Sequence, residues 1–173
     1  MGQIGVIDTQ RSSITVHVGK AGLFSFAGHE HLVNAPISSG EIVEGNSPRI
    51  EFTIETAKMT VKPDPKIDAK TQAQIQKDMD EMTLEPARYP RIIFHSTRVE
   101  KSGADRWRVT GDLSLHGVTR PVIVNVIKGG DAYQGRAEIK QTDFGIKPVS
   151  VAGGSIKVKD QITIDFQIFA APG

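Results

Sequence analysis

The chain has no cysteine, a single tryptophan and only two tyrosines. It also has no block of like charge and no apolar run long enough to span a bilayer. Each absence excludes a class of function. Without thiols there is no cysteine nucleophile, no thiolate-held zinc and no redox switch. The compartment stays open, because a reducing cytosol and an oxidising periplasm both tolerate such a chain. Twenty-one Lys and Arg against 20 Asp and Glu leave a formal charge of +1, and they are scattered. The electrostatic footprint of a nucleic-acid binder is therefore missing. No stretch approaches the roughly 20 apolar residues of a transmembrane helix. The opening residues MGQIGVIDTQ read as a strand and lack the basic and apolar regions of a signal peptide. Val6 stands where a myristoylation signal requires Ser or Thr. The nucleophile elbow Gly-x-Ser-x-Gly is absent. Gly129-Gly130 and Gly153-Gly154 sit in β-turn contexts without the following helix of a phosphate-cradling loop.

What is present is alternation. Ile14, Val16 and Val18 alternate with Ser13, Thr15 and His17; Ile50, Phe52 and Ile54 alternate with Glu51, Thr53 and Glu55. Trp107, Val109, Gly111, Leu113 and Leu115 line one side of a third run, and Ile162, Ile164, Phe166 and Ile168 one side of the last. Period-two patterning means strands with one dry and one wet face. The expected strands are 4–8 and 13–18, read as a hairpin, then 23–27, 37–43, 49–56, 91–101, 106–116, 121–128, 133–142 and 155–170. Short Gly-containing turns between the later ones require antiparallel neighbours. So many strands in 173 residues must pack as two sheets or close into a barrel. The length suits one domain over residues 1–173, large enough to fold without disulfide staples.

One segment breaks the pattern. Asp68 reads as the N-cap of a helix running to about Met82, with Ile75, Met79 and Met82 at i, i+4 and i+7 on a narrow apolar stripe. Glu85-Pro86 ends it. The acidic cluster Asp78, Asp80, Glu81 and Glu85 reads as a solvated face.

Four strings in order resemble the YceI-like family of lipocalin-like proteins. They are Gly22-Leu23-Phe24-Ser25-Phe26-Ala27-Gly28, then Arg88-Tyr89-Pro90 leading into Ile92-Ile93-Phe94-His95. The third runs from Val109 to Val122 through Leu113-Ser114-Leu115-His116-Gly117-Val118-Thr119-Arg120-Pro121, and the fourth is Thr142-Asp143-Phe144-Gly145-Ile146. The resemblance implies an all-β, lipocalin-like antiparallel β-barrel of about eight strands with one helix as a lid. It further implies a pocket for an amphiphilic isoprenoid, a polyprenyl or quinone-type lipid, with no other cofactor and no catalysis. A periplasmic or exported location is implied, and a homodimer is left open. With no signal peptide in this chain, the cytoplasm also stays open. The expected ligand-binding residues are Phe24, Phe26, Phe52, Phe94, Leu113, Phe144, Ile164 and Phe166, with Met79 and Met82 closing one end. Burial of an unbranched tail needs only apolar surface, at about 25 cal/mol per Å2, and thioethers adapt to irregular apolar shapes.

Two alternatives come from the same residues. His29 and His31 at i, i+2 share one side of a strand, a geometry that offers two imidazoles to a metal or haem in an enzyme or sensor; His17, His95 or His116 could complete such a site. A barrel filled by its own side chains would instead act through its surface. Lys140, Lys147, Lys157 and Lys159 are candidates to meet an anionic head group at a barrel mouth, or edge-strand lysines that block aggregation.

Overall fold

The computed structural model describes residues 3–21, 30–151 and 156–172. In chain order its strands are β1 (Gln3–Ile7), β2 (Ser13–Val18), β3 (Lys20–Ala21), β4 (His31–Asn34), β5 (Ile37–Glu44), β6 (Arg49–Glu55) and β7 (Thr60–Val61). After the helix α1 (Ala69–Asp78) come β8 (Arg91–Gly103), β9 (Arg106–Leu115), β10 (Val118–Gly129), β11 (Ala132–Lys140), β12 (Ser150–Val151), β13 (Ile156–Val158) and β14 (Gln161–Pro172). The expected strand 23–27 lies outside the described residues.

Eight of these close a ring, all pairs antiparallel: β1, β5, β6, β8, β9, β10, β11 and β14, with β14 returning to β1. The closed barrel removes the sheet edges that an open sheet would expose. On one flank β14 also carries β2, and β4 and β7 continue outward from it. The expected hairpin of β1 and β2 is therefore corrected: the two lie end to end along one edge of β14, β1 at Ala170–Pro172 and β2 at Thr163–Gln167. The cause is local. Asp8 Oδ1 accepts the amides of Gln10 and Arg11, and Ser12 N–H bonds back to the Asp8 carbonyl. Asp8 N–H and Ser12 Oγ both bond the Phe169 carbonyl, and Phe169 N–H donates to Ser12 Oγ at 2.9 Å. The loop makes a short excursion and returns to the same neighbour.

Helix α1 begins as its sequence dictates, with the Thr71 amide donating to Asp68 Oδ1 at 2.7 Å. Two glutamines one turn apart attach it to the edge strand β7. Gln76 Oε1 accepts the Val61 amide at 2.8 Å and its Nε2 donates to the Met59 carbonyl; Gln72 Nε2 donates to the carbonyls of Val61 and Lys62. These side chains satisfy backbone groups that the last strand of the flank leaves unpaired. Gln76→Leu is expected to cost about 1–3 kcal/mol, because it strands a half-buried amide and carbonyl; chemical denaturation compared with wild type checks this.

Past Asp78 the helix widens into a π-helical turn over Met79–Leu84, with Glu85 N–H bonding the Asp80 carbonyl. Widening changes the phase of the helix. Ile75 and Met79 keep their inward positions, but Leu84 (6% exposed) takes the next one, leaving Met82 at 53% exposure. A straight 3.6-residue repeat assigns that position to Met82. Glu85 then turns the chain with φ +46°.

Candidate ligand cavity

The inward faces of the ring do not meet. They enclose a hollow of about 870 Å3, within the range of roughly 300–1,000 Å3 typical of small-molecule sites. Its walls are largely aliphatic and aromatic: Ile50, Phe52 and Ile54 from β6, Ile92, Phe94 and Val99 from β8, and Trp107, Val109, Leu113 and Leu115 from β9. Val122, Val124 and Val126 of β10, Tyr133, Ala137 and Ile139 of β11, and Ile162, Ile164, Phe166 and Ile168 of β14 complete the ring. Val33, Met59 and Val61 with Ile75, Met79 and Leu84 cover the helix end. Several inward side chains, such as Val122, Val126, Ile164 and Phe166, remain half-buried although their neighbours point to solvent. They border empty space where a packed core would have neighbours.

Two glycines shape the wall. A Cβ on Gly111 would lie 2.4 Å from Phe94 Cζ, and one on Gly135 2.4 Å from Phe166 Cζ. Each ring lies flat over the neighbouring strand where only a glycine leaves room. Phe94 also stacks on Phe52, with centroids 5.4 Å apart and planes at 25°.

Of the side chains the sequence singled out, Phe52, Met79, Phe94, Leu113, Ile164 and Phe166 stand together on the wall. Phe24 and Phe26 lie outside the described residues. Phe144 is elsewhere than expected: a 3-10 turn over Gln141–Phe144 buries it to 1% exposure, and Ile146 from the following loop reaches the cavity in its place. Met82 is likewise off the wall, for the helical reason given above.

The histidines among the described residues do not converge. His29 lies outside the described residues, and His31 lies on the inner wall. His17 faces outward, its Nδ1 2.7 Å from Glu30 Oε1 and its Nε2 2.7 Å from Asp165 Oδ2. His95 is 3.5 Å from Asp112. Among the described residues no group of three His, Asp or Glu side chains is arranged to hold a metal. His116, in the β9–β10 turn with φ +55°, donates from Nε2 to Glu85 Oε2 at 2.8 Å beneath the Tyr89 ring. That bond, and then the Arg88 guanidinium, hold the Glu85 carboxyl below the usual carboxylate range. A carboxylate lowered in the folded state stabilises above its unfolded pKa, and this is lost as pH falls through its folded value. Glu85→Gln is therefore expected to flatten the acid limb of Tm against pH, measured from about pH 7 to about pH 3.

The polar residues of the wall divide between its ends. At the helix end are Lys20, His31, Thr71, Asp78 and Gln141; at the end formed by the β5–β6 and β8–β9 turns are Glu44, Arg49 and Lys101. Lys140, Lys147, Lys157 and Lys159 are exposed and off the wall. Lys101 was not legible from alternation, although it pairs with Trp107 on the inward side of β8. The register shift at Ser96/Arg98 hides that phase from a simple count.

The YceI-like domain model matches residues 6–170. A UPF0312 protein of Pseudomonas savastanoi is 36% identical over 74 residues, 37% of this chain and 38% of the relative. Protein YceI of Escherichia coli O157:H7 is 40% identical over 74 residues, with the same coverage of each chain. The matched stretch thus spans less than half the length of these relatives. Among solved structures, a polyisoprenoid binding domain from Saccharophagus degradans superposes with a TM-score of 0.67 at 14% identity, covering 100% of both chains. Burkholderia cenocepacia BcnA superposes with a TM-score of 0.62 at 17% identity, over 94% of this chain and 98% of that one. These two likenesses are of fold. With the closed eight-stranded barrel, the helix across one end and a match over residues 6–170, the chain belongs to the YceI-like domain family.

Proposed function

We propose that the protein binds an amphiphilic isoprenoid, of polyprenyl or quinone type, inside the barrel and carries or sequesters it without catalysis. The observation that carries this reading is the apolar hollow of about 870 Å3 running between two polar ends. A chain of methyl-branched carbons needs such a slot, and each buried CH2 contributes about 0.8 kcal/mol. The polyisoprenoid binding domain that shares the fold supports the ligand class. The tail contacts Phe52, Phe94, Leu113, Ile164 and Phe166, with Met79 at the helix end, and residues 1–173 act as one unit. An exported or periplasmic location belongs to the same proposal and rests on the family resemblance; cell fractionation tests it.

Organic extraction of freshly purified protein followed by mass spectrometry is the direct test. A lipid with an isoprenoid tail in near-stoichiometric amount is the expected result. Protein that emerges empty, and ignores both added polyprenol and added quinone, overturns the proposal.

A further inference from the structure

We infer that the turn end of the cavity takes a negatively charged head group, held by the inward-facing Lys101 beside the ion pair Glu44–Lys128. The inference rests on the lipid-binding reading above and adds the chemistry of the head. In the ring, β5 and β10 are four strands apart in either direction, so Glu44 and Lys128 rise from opposite walls. Their side chains meet at 2.6 Å, forming a bar across the barrel. Lys128 Nζ also lies 5.0 Å from the Tyr133 ring centroid.

The charges at this end do not cancel. Arg49 pairs with Glu41 at 3.4 Å and Lys128 with Glu44, whereas Lys101 has no carboxylate partner among the described residues. Lys101 lies directly opposite Trp107 on the inward side of the β8–β9 pair and borders the hollow. At the helix end the wall carries Lys20 and Asp78, one charge of each sign. The excess positive charge of the wall therefore sits at the turn end. Lys101 is exposed at the rim of this apolar tube, where an unpaired ammonium favours an anion within reach. A carboxylate or a phosphate on the end of the tail supplies one.

Trp107, the sole tryptophan, reports on this end. Its emission is titrated with three probes sharing one tail: farnesyl phosphate, farnesoic acid and farnesol. The expected result is that at least one anion binds about tenfold or more tightly than the alcohol, a charged hydrogen bond's worth, and that added salt narrows the gap. The stronger anion identifies the head as phosphate or carboxylate. Lys101→Met should bring the anion down to the alcohol's affinity while leaving the alcohol unchanged; Lys20→Met should leave the preference intact. Glu44→Gln, which frees Lys128, should strengthen anion binding several-fold. Equal binding of all three probes overturns the inference but leaves the cavity reading standing, as does a preference that survives Lys101→Met. Binding of none of them overturns both.

Discussion

Ala137→Trp is expected to give a folded barrel that retains less than about a tenth of the lipid bound by wild type. Ala137 is the smallest side chain on its part of the wall, opposite Ile164 on β14. An indole there projects into the hollow and occupies space that a tail would fill. Overpacking a filled core costs about 1–3 kcal/mol; here the added ring meets empty volume, so the stability change should fall below that. Lipid content by extraction and Tm by circular dichroism separate the two effects. A large drop in Tm with lipid still bound would mean that the interior is packed at this point and that ligand lies elsewhere.

The second large effect is on stability. Phe94→Ala removes a ring that is 6% exposed, stacked on Phe52 and laid over Gly111. Deleting a buried phenyl costs about 3–5 kcal/mol, roughly 6–20 °C in Tm for a protein of this size. Phe166→Ala should cost about half that or less, because its ring is only half-buried and borders the cavity. Added ligand should raise the Tm of both variants less than that of wild type, because each ring borders the hollow and contacts the tail. Equal destabilisation by the two substitutions, unaffected by lipid, would place Phe166 in a filled core.

Much of this was legible in the sequence. Alternation marks the apolar side of β2, β6, β9 and β14, because neighbouring side chains on a strand point to opposite faces whatever the strand packs against; β10, with Ile123 and Ile127 on its outer face, gives no such mark. Asp68 announces the helix start through its own carboxylate and the Thr71 amide. Five expected contact residues share one wall because they share that phase, and Met79 joins them from the helical segment. The failures have causes that lie beyond local pattern. Met82 left the stripe when the π-helical turn shifted the helix phase, and Phe144 left the wall when a 3-10 turn replaced the end of a strand. The hairpin of β1 and β2 failed because their partner β14 is more than 100 residues away.

By itself, the order of residues settled the strand alternation, the helix cap and the absence of thiol chemistry, since each is read from residue identities and neighbours a few positions apart. Only the tertiary structure decided that the sheet closes on eight strands and leaves a hollow, and that Glu44 reaches Lys128 across it. Closure depends on strand order, tilt and register around the whole ring, and no local run of side chains encodes the width of the space they surround.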